Sequence, residues 1–361
     1  MSVLKVNQLI LKNAPEKSIN SNLNESNSTY ELKEVLLPDL KDGEVLIKTL
    51  YLSNDPTQRS WMRKPGNKTK SYSIPVYEGT AMASLGLGEI VESKSSNYNK
   101  GDIINGRIYW GDYSIIPDKA IFNKVDNSQN LPLEYYLSVL GMTSLTALFG
   151  LIEVGKLRKN LGAESGKGPI VAVSAASGAV GSVVVQLAKN LLGARKVIGV
   201  TGSDEKVKWV KELGADLAVN YKNSDWKKQI VEDLGDEEID VYFDNVGGEI
   251  LSFFLTQVKQ KGSVVACGAI SGYNDNSKFA VTTWPYIITQ RIHVEGFIVS
   301  DFIDQFPEAV GILTKAIKEG ELRTTDAYHV EDIKGDLAKI PKVWELLFSD
   351  AKPNGKLITR V

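Results

Sequence analysis

Short apolar runs alternate with segments of helical periodicity from Ile170 onward, and no other feature constrains the fold of this sequence as strongly. The runs are four to six residues long and lie at 170–175, 196–201, 217–220, 240–243, 263–266 and 294–299. Continuously apolar strands separated by helices are typical of a parallel sheet that is covered on both faces. Six such strands match the doubly wound sheet that binds dinucleotides, so we predict an α/β fold of this kind.

The first 130 residues or so follow a different pattern, in which short strands are separated by frequent turn residues. The strand-like runs are 45–52, 88–92, 102–104 and 113–116, which indicates a small barrel or sandwich. Segments with helical spacing cover 133–157, 302–319 and 337–348. The final run, 356–361, is predicted to be a strand that rejoins the N-terminal part. A chain of 361 residues accommodates two domains, and we place the barrel-like one at 1–132 and 321–361 and the dinucleotide-binding one at 133–320.

Cysteine and histidine are scarce, with one Cys and two His in the whole chain. This composition excludes an internal disulfide and disfavours a zinc site built from several such ligands, so we expect no metal. The formal net charge of −2 provides no basic field for a nucleic acid or an anionic membrane surface. The N-terminus lacks the pattern of a signal peptide, and no stretch reaches the roughly 20 apolar residues that cross a bilayer. We therefore expect a soluble cytoplasmic protein without a nucleic-acid or membrane partner.

A glycine-containing turn joins the first strand of the predicted sheet to the helix that follows. It reads Ala-Ala-Ser-Gly-Ala-Val-Gly from Ala175 to Gly181, and Ala176 stands where a G-x-G-x-x-G pattern has its first glycine. At such a turn, backbone N–H groups approach a pyrophosphate closely and the helix N-terminus adds positive potential. A simple packing role for Gly178 and Gly181 is the alternative, but the succession of βα units around them favours a phosphate site.

The end of the second strand indicates which nicotinamide cofactor the chain prefers. Chains that bind NAD place Asp or Glu about 20 residues past the glycine motif, where the carboxylate binds the ribose diol. Here this position falls on Thr201–Ser203, which is neutral and small. Asp204 and Glu205 come later and are typical of the first turn of a helix. Lys206 is placed to meet a 2′-phosphate, unless it is one more solvated lysine, and the missing acid favours NADPH.

Several segments spread over nearly the whole chain carry a resemblance to one family. They are 52–59, 141–147, 173–182, 202–206, 220–222, 243–247, 267–273 and 297–299, and they include Phe243-Asp-Asn-Val-Gly247 and Cys267-Gly-Ala-Ile-Ser-Gly-Tyr273. In these segments the chain resembles the zinc-free branch of the medium-chain dehydrogenase/reductases, in particular the leukotriene B4 12-hydroxydehydrogenase/prostaglandin reductase/alkenal double-bond reductase family. The resemblance implies a GroES-like β-barrel catalytic domain together with a Rossmann dinucleotide-binding domain. It further implies NADPH as the cofactor and a homodimer as the assembly.

The resemblance also implies the residues of a cofactor site. These are Ser177, Gly178, Ala179, Val180 and Gly181 at the pyrophosphate, Ser203, Lys206 and Tyr221 at the 2′-phosphate, and Asn245, Cys267, Gly268, Ala269, Ile270, Tyr273, Phe297, Ile298, Val299 and Asn354 around the nicotinamide half. Cys267 is then a small apolar residue at a strand end and not a nucleophile. Tyr51, Asn54 and Tyr77 are expected in the substrate pocket, although core packing is the commoner fate of aromatic side chains.

The reaction that the resemblance implies is hydride transfer from NADPH to the β-carbon of an α,β-unsaturated aldehyde or ketone. The cofactor brings the hydride, while the protein supplies orientation and electrostatics. Tyr273 is the candidate catalytic residue, because its phenol could bind the enolate oxygen before the phenol or solvent protonates the α-carbon. In an alternative role, Tyr273 orders its loop or contacts the cofactor ribose.

Three other functions stay open at this point. A zinc-independent NADPH carbonyl reductase or alcohol dehydrogenase would reduce C=O instead of C=C, and a quinone reductase would act on a third class of substrate. A non-catalytic NADPH-binding protein is the alternative outside enzymology. The fold alone does not choose among them, because one fold serves many functions.

Overall fold

The computed structural model describes residues 4–126, 128 and 130–361 of the chain. The chain divides into two compact units, which we call the β unit and the α/β unit. The β unit holds the residues up to Leu137 with His329–Pro353 and Leu357–Val361, and the α/β unit holds Ser138–Tyr328 with Asn354–Lys356. The chain changes unit at 137 and 328, a few residues after the limits of 132 and 320 that the sequence indicates. Residues 354–356 form an additional part of the α/β unit that the sequence analysis did not anticipate.

The strands follow one another in this order: β1 (Lys5–Leu11), β2 (Tyr30–Leu36), β3 (Glu44–Ser53), β4 (Met62–Arg63), β5 (Val76–Tyr77), β6 (Ala83–Ser93), β7 (Ile103–Tyr109), β8 (Tyr113–Pro117), β9 (Ile121–Lys124), β10 (Ile170–Ser174), β11 (Lys196–Thr201), β12 (Leu217–Asn220), β13 (Ile239–Asp244), β14 (Val258–Ala266), β15 (His293–Gly296), β16 (Tyr328–Asp332) and β17 (Lys356–Arg360). The α-helices are α1 (Gln58–Trp61), α2 (Met142–Phe149), α3 (Gly181–Gln186), α4 (Asp204–Glu212), α5 (Trp226–Leu234), α6 (Gly248–Phe254), α7 (Pro285–Gln290), α8 (Phe306–Lys318) and α9 (Ile340–Glu345). Among the residues described, none of these helices is long and apolar enough to span a bilayer.

The β unit is organised around β3, which pairs antiparallel with three other strands. The sheet runs in the order β16-β17-β3-β6-β7-β9, and β8 pairs with the first half of β3. Val45, Ile47 and Thr49 alternate with more exposed residues along β3, as expected for a strand with one face on a core. That core contains Tyr30, whose ring centroid lies 5.4 Å from that of Trp110. The final strand β17 joins this sheet beside β3, which confirms the predicted return of the C-terminus.

The α/β unit contains a six-stranded sheet in the order β12-β11-β10-β13-β14-β15, with every neighbouring pair parallel. Numbered along the chain, these strands have the order 3-2-1-4-5-6 of the doubly wound dinucleotide fold. All five residues of β10 are buried because this strand lies in the middle of the sheet. Helices cover the sheet, as in the stacking of Phe254 on Tyr242 at 4.2 Å between ring centroids. The predicted fold class, a GroES-like β domain with a Rossmann domain, is confirmed.

Three predicted elements need correction. The helix expected over 133–157 is broken into a 3₁₀ turn at Leu133–Tyr136, helix α2 and a π turn at Gly150–Val154. Gly150 is required in this π turn because a Cβ there would lie 2.4 Å from the ring of Phe243.

The other two corrections concern residues near 300. The strand expected over 294–299 ends at Gly296, because the N–H of Ile298 leaves the sheet and donates to the Asp301 carboxylate at 3.2 Å. The helix expected over 302–319 begins only at Phe306, and residues Val299–Gln305 form a 3₁₀ segment. Pro307 lies in the first turn of α8, where its missing N–H is tolerated, and it would break a helix that started a turn earlier.

Candidate cofactor and active site

The glycine-containing turn follows β10 directly and is closed by its own backbone. Ala175 has a φ of +51°, and the N–H of Gly178 donates to its carbonyl at 2.8 Å. A Cβ at Gly181 would lie 2.3 Å from the same carbonyl oxygen, so only glycine fits there. The packing role that the sequence left open is therefore real for Gly181. It is compatible with a phosphate site, because it keeps the turn tight at the carboxyl end of the sheet.

A three-residue strap, Asn354–Lys356, lies against this turn. The N–H of Gly355 donates to the Ser177 carbonyl at 2.9 Å, and Gly355 forms a parallel bridge with Gly178. Gly355 has a φ of +67°, and a Cβ there would lie 2.3 Å from the Ala327 carbonyl oxygen. The side-chain oxygen of Asn354 is buried and has no hydrogen-bond partner within the described part of the chain. A buried acceptor without a donor beside a phosphate-type turn fits a missing ligand that carries N–H or O–H groups.

The end of β11 brings together the residues expected at a 2′-phosphate. Ser203 caps α4, and its hydroxyl accepts the N–H of Lys206 at 3.2 Å. The ring of Tyr221 lies 3.2 Å from the Cβ position of Gly202, and the Tyr221 side chain is exposed. Asp204 accepts a hydrogen bond from the Asn220 side chain at 2.9 Å, so its carboxylate is held by the next strand. Ser203 and Lys206 are half-buried at the start of α4, and Tyr221 is exposed beside them.

The ends of β10 and β13 are joined by a buried polar network. Asp244 is 2% exposed, and one of its oxygens accepts the Tyr242 hydroxyl at 2.8 Å and the Ser174 hydroxyl at 3.1 Å. The same oxygen accepts the N–H groups of Val246 at 3.1 Å and Gly247 at 3.0 Å. Burial raises the pKa of the Asp244 carboxyl, and these donors oppose that rise.

Asn245 is held through the same network. Its N–H donates to the Ser174 hydroxyl at 2.9 Å, and its side-chain amide donates to the Ser174 carbonyl at 2.8 Å. Both atoms of Ser174 lie at the end of β10, the strand that leads into the glycine turn. The structure therefore ties the residue expected near the nicotinamide to the strand expected to carry the pyrophosphate.

The loop after β14 carries Tyr273 and is hydrogen-bonded to the Asp244–Asn245 segment. The N–H groups of Cys267 and Gly268 donate to the Asp244 carbonyl at 2.9 and 3.1 Å. The N–H of Ile270 donates to the Asn245 carbonyl at 3.3 Å. A Cβ at Gly268 would lie 3.2 Å from the Asn245 carbonyl oxygen and 3.6 Å from the Tyr273 hydroxyl. The structure thus brings Asn245, Gly268 and Tyr273 together at the carboxyl ends of the fourth and fifth strands.

Tyr273 and Cys267 differ in what their side chains can do. Tyr273 is half-buried, and its hydroxyl oxygen accepts the N–H of Ala269 at 3.4 Å. A phenol can accept one hydrogen bond and donate another, so this geometry is compatible with donation to a ligand oxygen. Desolvation raises the pKa of the Cys267 thiol to about 12, with the charge of Asp244 adding to the effect. Cys267 therefore stays a thiol at neutral pH, as expected for a residue that is not a nucleophile.

Phe297, Ile298 and Val299 lie where β15 gives way to the 3₁₀ segment. The ring of Phe297 lies 6.3 Å from that of Phe302, and Phe302 stacks on Phe149 at 4.9 Å. Phe297 is thus part of an aromatic cluster of the α/β unit. The predicted contact of these three residues with a nicotinamide stays a prediction.

The residues expected in a substrate pocket belong to the β unit. Tyr51 and Asn54 lie at the end of β3 and just after it, whereas Tyr77 lies on β5, which pairs with the short strand β4. The Asn54 amide donates to the Thr359 hydroxyl at 2.9 Å and to the Leu357 carbonyl at 3.3 Å, and Asn54 is buried. Asn54 therefore has a structural role in holding β17, and a contact of its side chain with substrate stays a prediction.

Sequence reasoning missed Ser174, Asp244 and Gly355. Asp244 was visible as a carboxylate that ends an otherwise apolar strand, directly before Asn245. Its partner Ser174 is 70 positions away along the chain, and no local pattern links the two. Gly355 occurs in a short Pro-Asn-Gly-Lys stretch that by itself indicates only a turn.

Two family models match the chain. The model described as zinc-binding dehydrogenase matches residues 179–315, and the model described as the N-terminal domain of oxidoreductase matches residues 8–124. The first model is named for zinc, but in the part of the chain described here no group of three or more His, Cys, Asp or Glu side chains could hold a metal ion.

Curated relatives match over most of their length and of this chain. A protein of Saccharomyces cerevisiae described as an uncharacterized membrane protein is 37% identical and covers 98% of both chains. Prostaglandin reductase 1 of Bos taurus is 38% identical over 86% of this chain and 88% of its own. The NADP-dependent 2-alkenal reductase of Nicotiana tabacum is 36% identical over 95% of this chain and 94% of its own. Among solved structures, CurA of Vibrio vulnificus in complex with NADPH has a TM-score of 0.81 and 26% identity, and it covers 98% of this chain and 99% of its own.

Proposed function

We propose a function from the premise that the chain belongs to the prostaglandin reductase and alkenal reductase family of the medium-chain dehydrogenase/reductases, an assignment that the relatives' identity over most of both chains establishes. The chain is an NADPH-dependent oxidoreductase of that type. Its reaction, in our proposal, is hydride transfer to the C=C bond of an α,β-unsaturated aldehyde or ketone. The names of the relatives and the position of Tyr273 support this choice.

The preference for NADPH rests on the edge at the end of β11. Ser203, Lys206 and Tyr221 provide a hydroxyl, an ammonium and a phenol for a 2′-phosphate, and charge-assisted hydrogen bonds of this kind are strong. Asp204, the first carboxylate of the region, bonds to Asn220 and stands at the start of α4. A ribose diol would therefore find no acid at the usual place. NADPH, when bound, supplies the hydride.

The buried acceptor of Asn354 marks the other end of the cofactor site. Its side-chain oxygen has no donor among the described residues and lies next to the glycine turn through the bridge of Gly355 with Gly178. The backbone of the turn would hold the phosphates, and Asn354, Asn245 and the Cys267–Tyr273 loop would orient the reacting half. Ligands of doubly wound sheets bind at the carboxyl ends of the strands, which is where these residues lie.

One observation carries the assignment of the chemistry, namely the position of the Tyr273 hydroxyl beside Gly268 and the Asn245 carbonyl. When hydride reaches the β-carbon, negative charge develops on the substrate's carbonyl oxygen. Tyr273 would donate a hydrogen bond to that oxygen, while the Ala269 N–H donates to the phenol and makes it a better donor. The phenol or solvent then returns a proton to the α-carbon of the enolate.

A second copy of the chain is the proposed partner, and it would join at β15. This strand ends the sheet, and all four of its residues are exposed, so one row of its backbone N–H and C=O groups lacks a neighbouring strand of the sheet. Val294 on β15 is 44% exposed, and Trp284 and Ile288 around α7 are exposed as well. A two-fold axis would pair β15 with its copy and cover these apolar side chains. The cytoplasmic location expected from the sequence stays a prediction.

A substrate panel tests the proposed reaction. Purified protein is given NADPH or NADH with a 2-alkenal, an enone, a quinone and a saturated ketone, and the products are identified by NMR. We expect the saturated aldehyde or ketone from the first two substrates, with NADPH preferred. Reduction of the saturated ketone alone would indicate a carbonyl reductase, and reduction of the quinone alone a quinone reductase. NADPH binding without turnover of any of them would indicate a non-catalytic protein.

A further inference from the structure

Asp244 stands out because its carboxylate is buried in the sheet, and among the described residues no cation is a hydrogen-bond partner of it. An isolated buried carboxylate is costly, and the chain compensates it with donors only. Tyr242, Ser174, Val246 and Gly247 all donate to it, at 2.8 to 3.2 Å. The Ser174 hydroxyl donates to Asp244, and its oxygen accepts the N–H of Asn245. The N–H groups of Val246 and Gly247 can only donate, so they require an acceptor at Asp244, which a carboxylate oxygen provides.

The donors to the Asp244 carboxylate lie at the carboxyl end of the sheet, where the cofactor site is proposed. Val246 and Gly247 begin the loop after β13, and Gly247 has a φ of +72° that lets this loop fold back onto the carboxylate. Ser174 ends β10, and the hydroxyl that donates to Asp244 also accepts the backbone N–H of Asn245, while the Ser174 carbonyl accepts the Asn245 side-chain amide. The backbone carbonyl of Asp244 holds the loop that follows β14, since it accepts the N–H groups of Cys267 and Gly268.

Asp240 is a second carboxylate of β13, and its contacts are those of a structural residue. It lies near the other end of β13 and accepts the N–H of Ile170 at 2.7 Å. Lys259 and Arg195 pair with it as cations, and its side chain is 17% exposed. Asp240 thus secures two strands at the end of the sheet that is remote from the proposed site. Asp244 instead holds two loops at the carboxyl end of the sheet, the one that follows β13 and the one that follows β14.

We propose that Asp244 is a positioning residue that, through Ser174, fixes Asn245 and the Tyr273 loop for the nicotinamide half of the cofactor. This inference rests on the proposed NADPH site. Asp244→Ala removes the oxygen that accepts all four donors, so the Ser174 hydroxyl and the N–H groups of Val246 and Gly247 would lose their acceptor. The adenosine end of the site, at Ser203 and Lys206, lies at the start of α4, and neither residue is among the donors to Asp244 given above.

The test compares two ligands that share the adenosine end, using isothermal titration calorimetry on the full chain. NADPH carries the nicotinamide, whereas adenosine 2′,5′-bisphosphate lacks it. We expect Asp244→Ala to weaken NADPH binding on the order of 10-fold while binding of the bisphosphate changes less than about 2-fold. Ser174→Ala should change NADPH in the same direction by roughly 3-fold. Asp240→Ala is the matched control, and we expect a lower melting temperature with both affinities unchanged.

Equal changes for the two ligands in Asp244→Ala, or none for either, would overturn the proposal. If this variant does not fold, Ser174→Ala decides by the same criterion, since its backbone contacts are kept. The measurement needs no substrate, so it separates this inference from the proposed reaction. Wild-type protein that binds NADPH but reduces no enal would refute the reaction and leave the positioning role to be judged by the two affinities.

Discussion

The two ends of the proposed cofactor site are built differently, although both lie at the carboxyl ends of strands of the same sheet. At the adenosine end, Ser203, Lys206 and Tyr221 present their polar groups at an accessible edge, and Tyr221 is 45% exposed. At the nicotinamide end, Asp244 and Ser174 are buried and linked to Asn245 by short hydrogen bonds.

The difference indicates a division of tasks. Exposed charges are screened by water and act nearly independently, so each contributes modestly to recognition of a phosphate. Buried, fully paired polar groups depend on one another, and removal of one disturbs the rest. We therefore assign cofactor selection to the adenosine end and orientation of the reacting groups to the nicotinamide end. Substitutions at the two ends should therefore change cofactor selection and turnover separately, or show that the two ends act as one.

The largest expected effect is on turnover, at the nicotinamide end. Tyr273→Phe removes the proposed donor to the developing enolate oxygen, so kcat should fall on the order of 10²–10³-fold, while KM for NADPH stays within about 2-fold. Steady-state kinetics with a 2-alkenal measures both. Tyr286→Phe is the control, because Tyr286 is an exposed tyrosine of α7. An unchanged kcat in Tyr273→Phe would leave Tyr273 with an ordering role only.

A smaller effect is expected at the adenosine end. Lys206→Ala should raise KM for NADPH on the order of 10-fold and leave KM for NADH nearly unchanged, because only NADPH carries the 2′-phosphate. Lys208→Ala is the matched control, since Lys208 is an exposed lysine on the same helix. Equal effects of Lys206→Ala on the two cofactors would reject the proposed phosphate contact, and a large fall in kcat would show that the two ends are not independent.

A substitution on the edge strand β15 should affect neither end of the proposed cofactor site. Val294→Asp places a charge on the exposed edge strand β15 and is expected to convert a dimer into a monomer in sedimentation analysis. KM for NADPH should remain within about 2-fold of its original value. Val231→Asp is the control, because Val231 is 46% exposed and lies on α5, next to the opposite edge strand β12. A dimer that survives Val294→Asp but not Val231→Asp would relocate the interface.

The smallest effect is expected at Cys267, which lies within the nicotinamide-end loop. Its raised pKa of about 12 leaves about one thiolate in ten thousand at pH 8, so alkylation by iodoacetamide should be slow. Cys267→Ala should leave kcat within about 2-fold, because the backbone N–H that bonds to Asp244 is kept. Rapid alkylation with loss of activity would contradict the environment described for this loop.

The sequence predicted the α/β unit well because its strands are locally distinctive. Runs such as Ile170–Ser174 are continuously apolar, and their order in the sheet follows from right-handed crossovers between parallel strands. Prediction was poorer where distant residues decide the local structure. At the π turn after α2, for example, Gly150 lies so close to Phe243 that a Cβ would be 2.4 Å from its ring, although the two residues are far apart in the sequence.

The candidate site likewise contains residues that local spacing predicts and residues that only contacts between distant positions define. The glycine turn, Ser203 and Lys206 are recognisable because their spacing within a βα unit is the signal. The Asp244–Ser174 bond and the docking of Gly355 on Ser177 join residues that are 70 and 178 positions apart. Hydrogen bonds of that range leave no periodicity in a single sequence. Family resemblance located Asn245 and Tyr273, but only the structure shows what holds Asn245 in place.

The central claim is that hydride is delivered to a carbon–carbon double bond, and the fate of a labelled hydride tests it most directly. NADPH deuterated at the transferable position of its nicotinamide is incubated with the protein and a 2-alkenal, and the product is examined by NMR. The account predicts deuterium on the β-carbon of a saturated aldehyde whose carbonyl group is intact. Deuterium on the former carbonyl carbon of an unsaturated alcohol would contradict it.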